Sequence, residues 1–394
     1  MTKLSLKTKI KFDPSENRLW IGFSYKNEVY NPIQLKNDSI LVYTKHDISI
    51  LGKNFKKKEL MSFSYAGEKN SPEISKVKQI KNGKILCCAT NLHIFEFKSN
   101  NVVNTKNIKF PEEEKIYDVI ELKNGKLLGI SNKSIFEIKS EEENYNFSIL
   151  FQIPNNWLIT AYSKQERFFS NFRQYIDMYE LPNNRLLIHS HSTELSHNGG
   201  CGTHPPYEVC FNRIYIINLE KFEIIHSFDE IGSEINIIFF EKYFAISYTG
   251  KNQYNKIIDI YDINDYKLVK EIEDQFEKNY IIKYDNNTFI AMNKNEKRND
   301  IIVYDISDIN DIKFKILEGN FMKFQKKVYN SCYPVRYSKN KTFCVLNNRD
   351  ILIICHGLIY IVNFPGSLNI LDFAPLKEMN IPRNIYSHYY YDDD

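Results

Sequence analysis

The sequence predicts an all-β fold built from one repeated four-stranded unit, and three observations carry that prediction. The first is composition: 27 Tyr and 27 Phe in 394 residues, with aromatics at 14%, suit pleated, half-buried surfaces. The second is self-similarity. "PIQLKNDSILVYTKHDISILG" (32–52), "VKQIKNGKILCCATNLHIFEF" (77–97) and "DVIELKNGKLLGISNKSIFEI" (118–138) each read as strand, Asn-centred turn, strand, short turn, strand. The third is spacing: Asn37, Asn82 and Asn124 stand 45 and 42 residues apart. Four short strands at such a period are the arithmetic of a β-propeller. No long stretch carries the 3.6-residue period of a helical array.

Taken in order, the units fall near 30–64, 75–110, 116–153, 174–229, 235–273, 279–317 and 342–373. The first three turn on Lys-Asn-Asp or Lys-Asn-Gly, which points to two-residue hairpins needing positive φ. The fourth turns on "LPNNRL" (181–186), the sixth on "YDNNTF" (284–289) and the seventh on "LNNRDI" (346–351). The expected architecture is a seven-bladed β-propeller of four-stranded antiparallel blades in one domain, 1–374. An N-terminal strand, "RLWIGFS" (18–24), closes the ring. "LNILDFA" (368–374) competes for that place, and 375–394 forms a C-terminal tail. Closure hides strand edges that otherwise template aggregation.

Two segments carry a family resemblance. "IDIYDINDYKLVKEI" and "IVYDISDINDIKFKI" resemble the third and fourth strands of WD40 repeats, with Tyr261-Asp262 and Tyr304-Asp305 where that family has Trp-Asp. The likeness runs over about 18–373. The Gly-His dipeptide of the family is missing, and most units lack even Tyr-Asp, so this is a degenerate WD40-like pattern. It implies a propeller architecture, with kelch-like or unclassified propellers as the alternatives.

Composition narrows the function classes. A net charge of +3 from 52 basic and 49 acidic residues leaves no basic excess, so no nucleic-acid partner is expected. The N-terminus lacks a signal-peptide apolar core. The longest apolar run, "ILIICHGLIYIV" (351–362), is too short to span a bilayer. Seven irregularly spaced cysteines without a secretion signal point to reduced thiols and a cytoplasmic setting. No phosphate-binding loop, HExxH, GxSxG or EF-hand motif occurs, so a non-catalytic role is expected.

The repeat is stretched in three places: 155–173, 193–211 and 318–341. Strand assignment puts all three on one face, where long loops on a rigid scaffold carry binding residues. Trp157, Arg167, Phe168 and Arg173 in the first, with Tyr333 and Arg336 in the third, have the composition of interface hot spots. The plainer reading buries the aromatics and solvates the basic residues.

The second stretch, "HSHSTELSHNGGCGTHPPYEVC" (189–210), concentrates histidine and cysteine. His197, Cys201, His204 and Cys210 make a candidate zinc set, against the plainer reading of an ordinary Gly- and Pro-rich loop. His189 and His191, two apart on a strand, share one face of its sheet. The leading expectation is an interaction scaffold. Its rivals are a structural subunit of a large axonemal, coat or virion assembly, and a propeller hydrolase or lyase with a metal held by the His/Cys loop.

Overall fold

A computed structural model describes residues 5–11, 32–43, 47–51, 57–62, 73–98, 101–111, 114–141, 144–154, 173–196, 207–228, 233–249, 256–274, 279–293, 301–317, 342–355, 358–363 and 374–375. The strands, in chain order, are β1 (Ser5–Lys11), then β2 (Ile33–Gln34), β3 (Ile40–Tyr43), β4 (Asp47–Leu51) and β5 (Lys57–Ser62). Next come β6 (Lys76–Gln79), β7 (Ile85–Cys88), β8 (Leu92–Lys98) and β9 (Asn101–Ile108). The third group is β10 (Ile116–Glu121), β11 (Leu127–Ser131), β12 (Ser134–Glu141) and β13 (Asn144–Gln152). The fourth is β14 (Arg173–Leu181), β15 (Arg185–Ser196), β16 (Tyr207–Asn218) and β17 (Glu223–Phe228). The fifth is β18 (Ser233–Phe239), β19 (Tyr243–Thr249), β20 (Lys256–Asp262) and β21 (Leu268–Asp274). The sixth is β22 (Asn279–Lys283), β23 (Thr288–Asn293), β24 (Ile301–Asp305) and β25 (Lys313–Leu317). The last are β26 (Thr342–Val345), β27 (Ile351–Cys355), β28 (Leu358–Asn363) and β29 (Ala374–Pro375).

Among the described residues these strands form seven sheets; five take four consecutive strands in order, β1 joins β26–β28, and β29 joins β22–β25. The chain divides into two compact units. One, residues 13–233, holds the sheets β2–β5, β6–β9, β10–β13 and β14–β17. The other, residues 1–12 with 234–394, holds the remaining three.

Two details differ from the sequence expectation. Residues 18–24, assigned to the outer edge of the last sheet, lie outside the described residues. The strand found there is β1, whose Leu6 pairs with Val362 and whose Lys11 pairs with Leu358. Of the competing segment 368–374, only Ala374 is described. It belongs to β29, which adds a fifth strand to the outer edge of β25 through Phe314–Ala374 and Lys313–Pro375.

The turns also differ. Four of them, in the first three sheets and the last, have three residues rather than two, with positive φ at the third. Gly83 (φ 89°), Gly125 (φ 86°), Asp38 (φ 63°) and Arg349 (φ 65°) hold that third position. The Asn before each is not the positive-φ residue. Its side chain instead accepts the N–H two residues on: Ser39, Lys84, Lys126 and Asp350 donate to Asn37, Asn82, Asn124 and Asn348 at 3.0–3.1 Å. That Asx bond pre-forms the turn.

The core lies between neighbouring sheets. In residues 13–233, Ile80, Leu86 and Ile94 pack on Val119, Phe136 and Ile138, and Tyr117, Ile120 and Leu128 pack on Ile176, Met178 and Leu186. A polar seam runs beside this core. The backbone N–H groups of Lys36, Lys81 and Lys123, each in the turn of one sheet, donate to Gln79, Glu121 and Glu180 on the first strand of the next, at 3.1, 2.5 and 2.9 Å. In return the Lys36 ammonium donates to the Lys81 carbonyl, and the Lys81 ammonium to the carbonyls of Leu122 and Lys123 at 3.0 and 3.2 Å.

Candidate functional site: a histidine–aspartate cluster at the base of a long hairpin

The sheet β14–β17 departs from the others. β15 and β16 have twelve residues each, and their ladder runs without a break from Arg185–Asn218 to Ser196–Tyr207. β14 accompanies it only as far as Arg173–Thr193, and β17 only to Ile214–Phe228. The last three pairs of the hairpin therefore extend past both flanking strands among the described residues.

This corrects the loop expected at 193–211. Thr193–Ser196 continue β15 and Tyr207–Cys210 continue β16, in one unbroken ladder. Cys210 lies in a strand, paired with Thr193, three pairs from the hairpin's last. At ~3.4 Å per residue that is roughly 10 Å of chain. His197, Cys201 and His204 lie outside the described residues, as do Trp157, Arg167, Phe168, Tyr333 and Arg336. Arg173 is the first residue of β14.

Below the extension, cross-strand pairing gathers polar residues on one face. Asp177 pairs with His189, Tyr175 with His191, and His191 in turn with Asn212. The shared face of His189 and His191, legible from their spacing, is thus found, with their rings 5.3 Å apart. Asp177, His189 and His191 each bring a ligand atom within 4.8 Å of the others. Tyr175 stacks on His191 at 4.8 Å. Nε2 of His189 lies 3.3 Å from Oδ1 of Asn212, an acceptor, so His189 carries its proton on Nε2. Nδ1 of His191 is buried and has no hydrogen-bond partner among the described residues.

The first strands of two neighbouring sheets complete the surroundings. Lys76, on β6, reaches Oδ1 of Asp177 at 2.5 Å. Lys78 pairs at 2.7 Å with Asp118 on β10. Fully buried Asp118 also accepts the backbone N–H of Met178 on β14 at 2.9 Å, so one carboxylate ties three sheets together. Sequence reading missed Lys76, Asp118 and Asp177. Their signal was a charge set inside an apolar first strand, as in "IYDVIE" and "RQYIDMYEL".

Electrostatics fix the protonation states. Burial pushes the Asp177 carboxyl up, but the Lys76 ammonium outweighs it and holds the group well below the usual carboxylate range. Burial likewise works against the Lys76 charge, and Asp177 and then Asp118 reverse it, keeping the ammonium firmly protonated. Burial lowers His189. Burial, then the neighbouring His189, lowers His191 to about 4. At neutral pH the cluster holds one ion pair and two neutral imidazoles, which are electron-pair donors.

No family model matches the chain, and no curated protein is similar to it. Solved structures are. A catalytically inactive virginiamycin B lyase from Staphylococcus aureus, crystallised with quinupristin, aligns over 92% of this chain and 100% of its own, at TM-score 0.50 and 11% identity. The extracellular domain of a putative one-component system from Bacteroides thetaiotaomicron aligns over 92% of this chain and 43% of its own, at TM-score 0.51 and 10% identity. The Sqt1 protein of Saccharomyces cerevisiae covers 93% of this chain, at TM-score 0.47 and 11% identity. Likeness at this identity speaks for the fold alone: the chain is an all-β propeller of four-stranded antiparallel blades.

Proposed function

We propose that this propeller is a non-catalytic protein-interaction platform of the cytoplasm, with the β15–β16 hairpin as its principal docking element. One observation carries the reading: among the described residues, the three ladder pairs Glu194–Val209, Leu195–Glu208 and Ser196–Tyr207 run beyond both neighbouring strands. A two-stranded projection contributes little to a sheet it has left, and its open edges suit strand addition by a partner. Arg173, the first described residue after the stretch 155–172, pairs with Thr193 at that end of the sheet. Large aliphatic residues on outermost strands add apolar surface: Ile149 and Leu150 on β13, Ile224 and Ile225 on β17.

To the same proposal belong the single domain 1–374, the closing of the seven sheets into one ring, and docking by Trp157, Arg167, Phe168, Arg173, Tyr333 and Arg336. Among the described residues no helix is long and apolar enough to cross a membrane.

The test is co-purification from native material with mass spectrometry. The full chain is compared with a variant whose 194–209 segment is replaced by a two-residue Asn-Gly turn. Loss of specific partners with an unchanged thermal melt supports the proposal. An unchanged partner list refutes it, and native mass measurement then decides whether the chain is a fixed subunit of a large assembly.

A further inference from the structure

We propose that Asp177, His189 and His191 bind one divalent transition-metal ion of the borderline class, such as Zn²⁺ or Co²⁺, at the base of the long hairpin. The inference rests on four features and does not depend on the partner reading.

The first is convergence. The ligand atoms lie within 4.8 Å of one another. A tetrahedral ion with bonds of ~2.0–2.1 Å wants ligand atoms about 3.3 Å apart, so small side-chain rotations close the site. The second is Nδ1 of His191, buried and unpartnered among the described residues. A polar atom without a partner in the interior is costly, and a metal bond satisfies it. The third is the hydrogen bond from His189 to Asn212. It places the proton on Nε2 and leaves Nδ1 with the lone pair, the outer-shell arrangement that metal-binding histidines use. The fourth is access: Asp177 and His191 are only partly buried, whereas His189 is enclosed.

Lys76 sets the selectivity. It engages one oxygen of Asp177, orienting the carboxylate, and a carboxylate has a second. Its charge also cancels that of Asp177, so the cluster offers no net negative field. Ca²⁺ and Mg²⁺ take oxygen ligands and depend on such a field. Two imidazole nitrogens favour a borderline ion instead, and two nitrogens with one carboxylate leave coordination positions open.

The experiment titrates the full chain with Co²⁺ and Zn²⁺, following Co²⁺ by its visible absorption and bound zinc by elemental analysis after dialysis. One equivalent is expected, with no sulfur-to-metal charge-transfer band. His191→Phe keeps the stack on Tyr175 and should weaken binding at least a hundredfold with the thermal melt retained. Lys76→Met removes the competing charge and should tighten binding about tenfold. Should His191→Phe unfold, His189→Asn decides in its place. Absence of a stoichiometric site in the wild type overturns the proposal. So does binding that survives in both histidine variants. A thiolate band lost in Cys201→Ser also overturns it, by moving the ion to the hairpin loop.

Discussion

Replacing Gly129 by Ala should destabilise residues 13–233 by up to about 3 kcal/mol, although it adds a single methyl group. Gly129 on β11 pairs directly with Phe136 on β12. A Cβ at position 129 would meet Cζ and Cε2 of that ring at 2.1 and 2.2 Å. Ordinary carbon contact is about 3.5–4.0 Å, so the ring must retreat by roughly 1.5 Å. It has nowhere to go: Phe136 is fully buried, 4.8 Å from Phe110 and 6.0 Å from Phe147. Overpacking of a tight core costs ~1–3 kcal/mol. Expelling the ring instead forfeits about 1.5–3 kcal/mol of burial and ~0.5–1.5 kcal/mol for each aromatic contact. The cheaper route sets the cost, up to about 3 kcal/mol. Urea unfolding reads it as a fall in midpoint at constant slope. Gly129→Ala with Phe136→Leu should recover part of the loss, with a coupling of ~0.5–3 kcal/mol. A single variant within about 0.5 kcal/mol of wild type, or strictly additive effects in the pair, would refute the close-packing argument.

Other consequences are equally measurable. Asp259 on β20 is buried, which raises its pKa even though Tyr248 and Tyr261 donate to it at 2.9 and 3.1 Å. A raised carboxyl binds its proton more tightly folded than unfolded. Its stabilising contribution is therefore full below the ordinary carboxylate range of ~4 and lost as pH rises through the folded value. Urea midpoints at pH 4 and pH 7 should differ less for Asp259→Asn than for wild type, and an equal difference counts against the burial argument. Asp118→Asn should destabilise by ~3 kcal/mol or more, since it leaves the Lys78 ammonium without its buried partner; a calorimetric melt within 1 °C of wild type would contradict this. Glu180→Ala removes the acceptor of the Lys123 N–H, worth about 1 kcal/mol. Hydrogen exchange at Lys123 should quicken about fivefold, and an unchanged rate rules the seam contact out.

The sheets were legible because their signal is local. Alternation of period two, punctuated by Lys-Asn-Gly, places strands and turns without reference to anything distant. Asn183 and Asn184 do take positive φ, but at Asn37, Asn82, Asn124 and Asn348 the Asn serves by its side chain and the next residue takes the left-handed backbone, which makes those turns one residue longer than expected. Thr193–Ser196 read as loop because Gly199, Gly200, Pro205 and Pro206 lie close by in sequence and mask a ladder that runs on to Ser196–Tyr207. His189 and His191 were recognisable as a same-face pair from spacing alone. Their partners were not. Asp177 meets His189 only through the register of β14 on β15, and Lys76 reaches Asp177 from a strand a hundred residues earlier. No window of sequence displays such meetings. The acid at the end of each first strand, Glu121 and Glu180, likewise looked like solvent-facing charge until the neighbouring turn was set beside it.

The polar seam between sheets bears on how such a chain tolerates change in length. Its bonds join turn to first strand: Lys36 to Gln79, Lys81 to Glu121, Lys123 to Glu180. None of them uses a residue from the segments that link one sheet to the next. Those links differ greatly, from seven residues between β9 and β10 to twenty between β13 and β14, while the fastening at each junction is the same. Growth or loss of residues in a link thus leaves the joint intact. A lineage can vary its connecting segments freely and explore new surfaces at little cost to the frame.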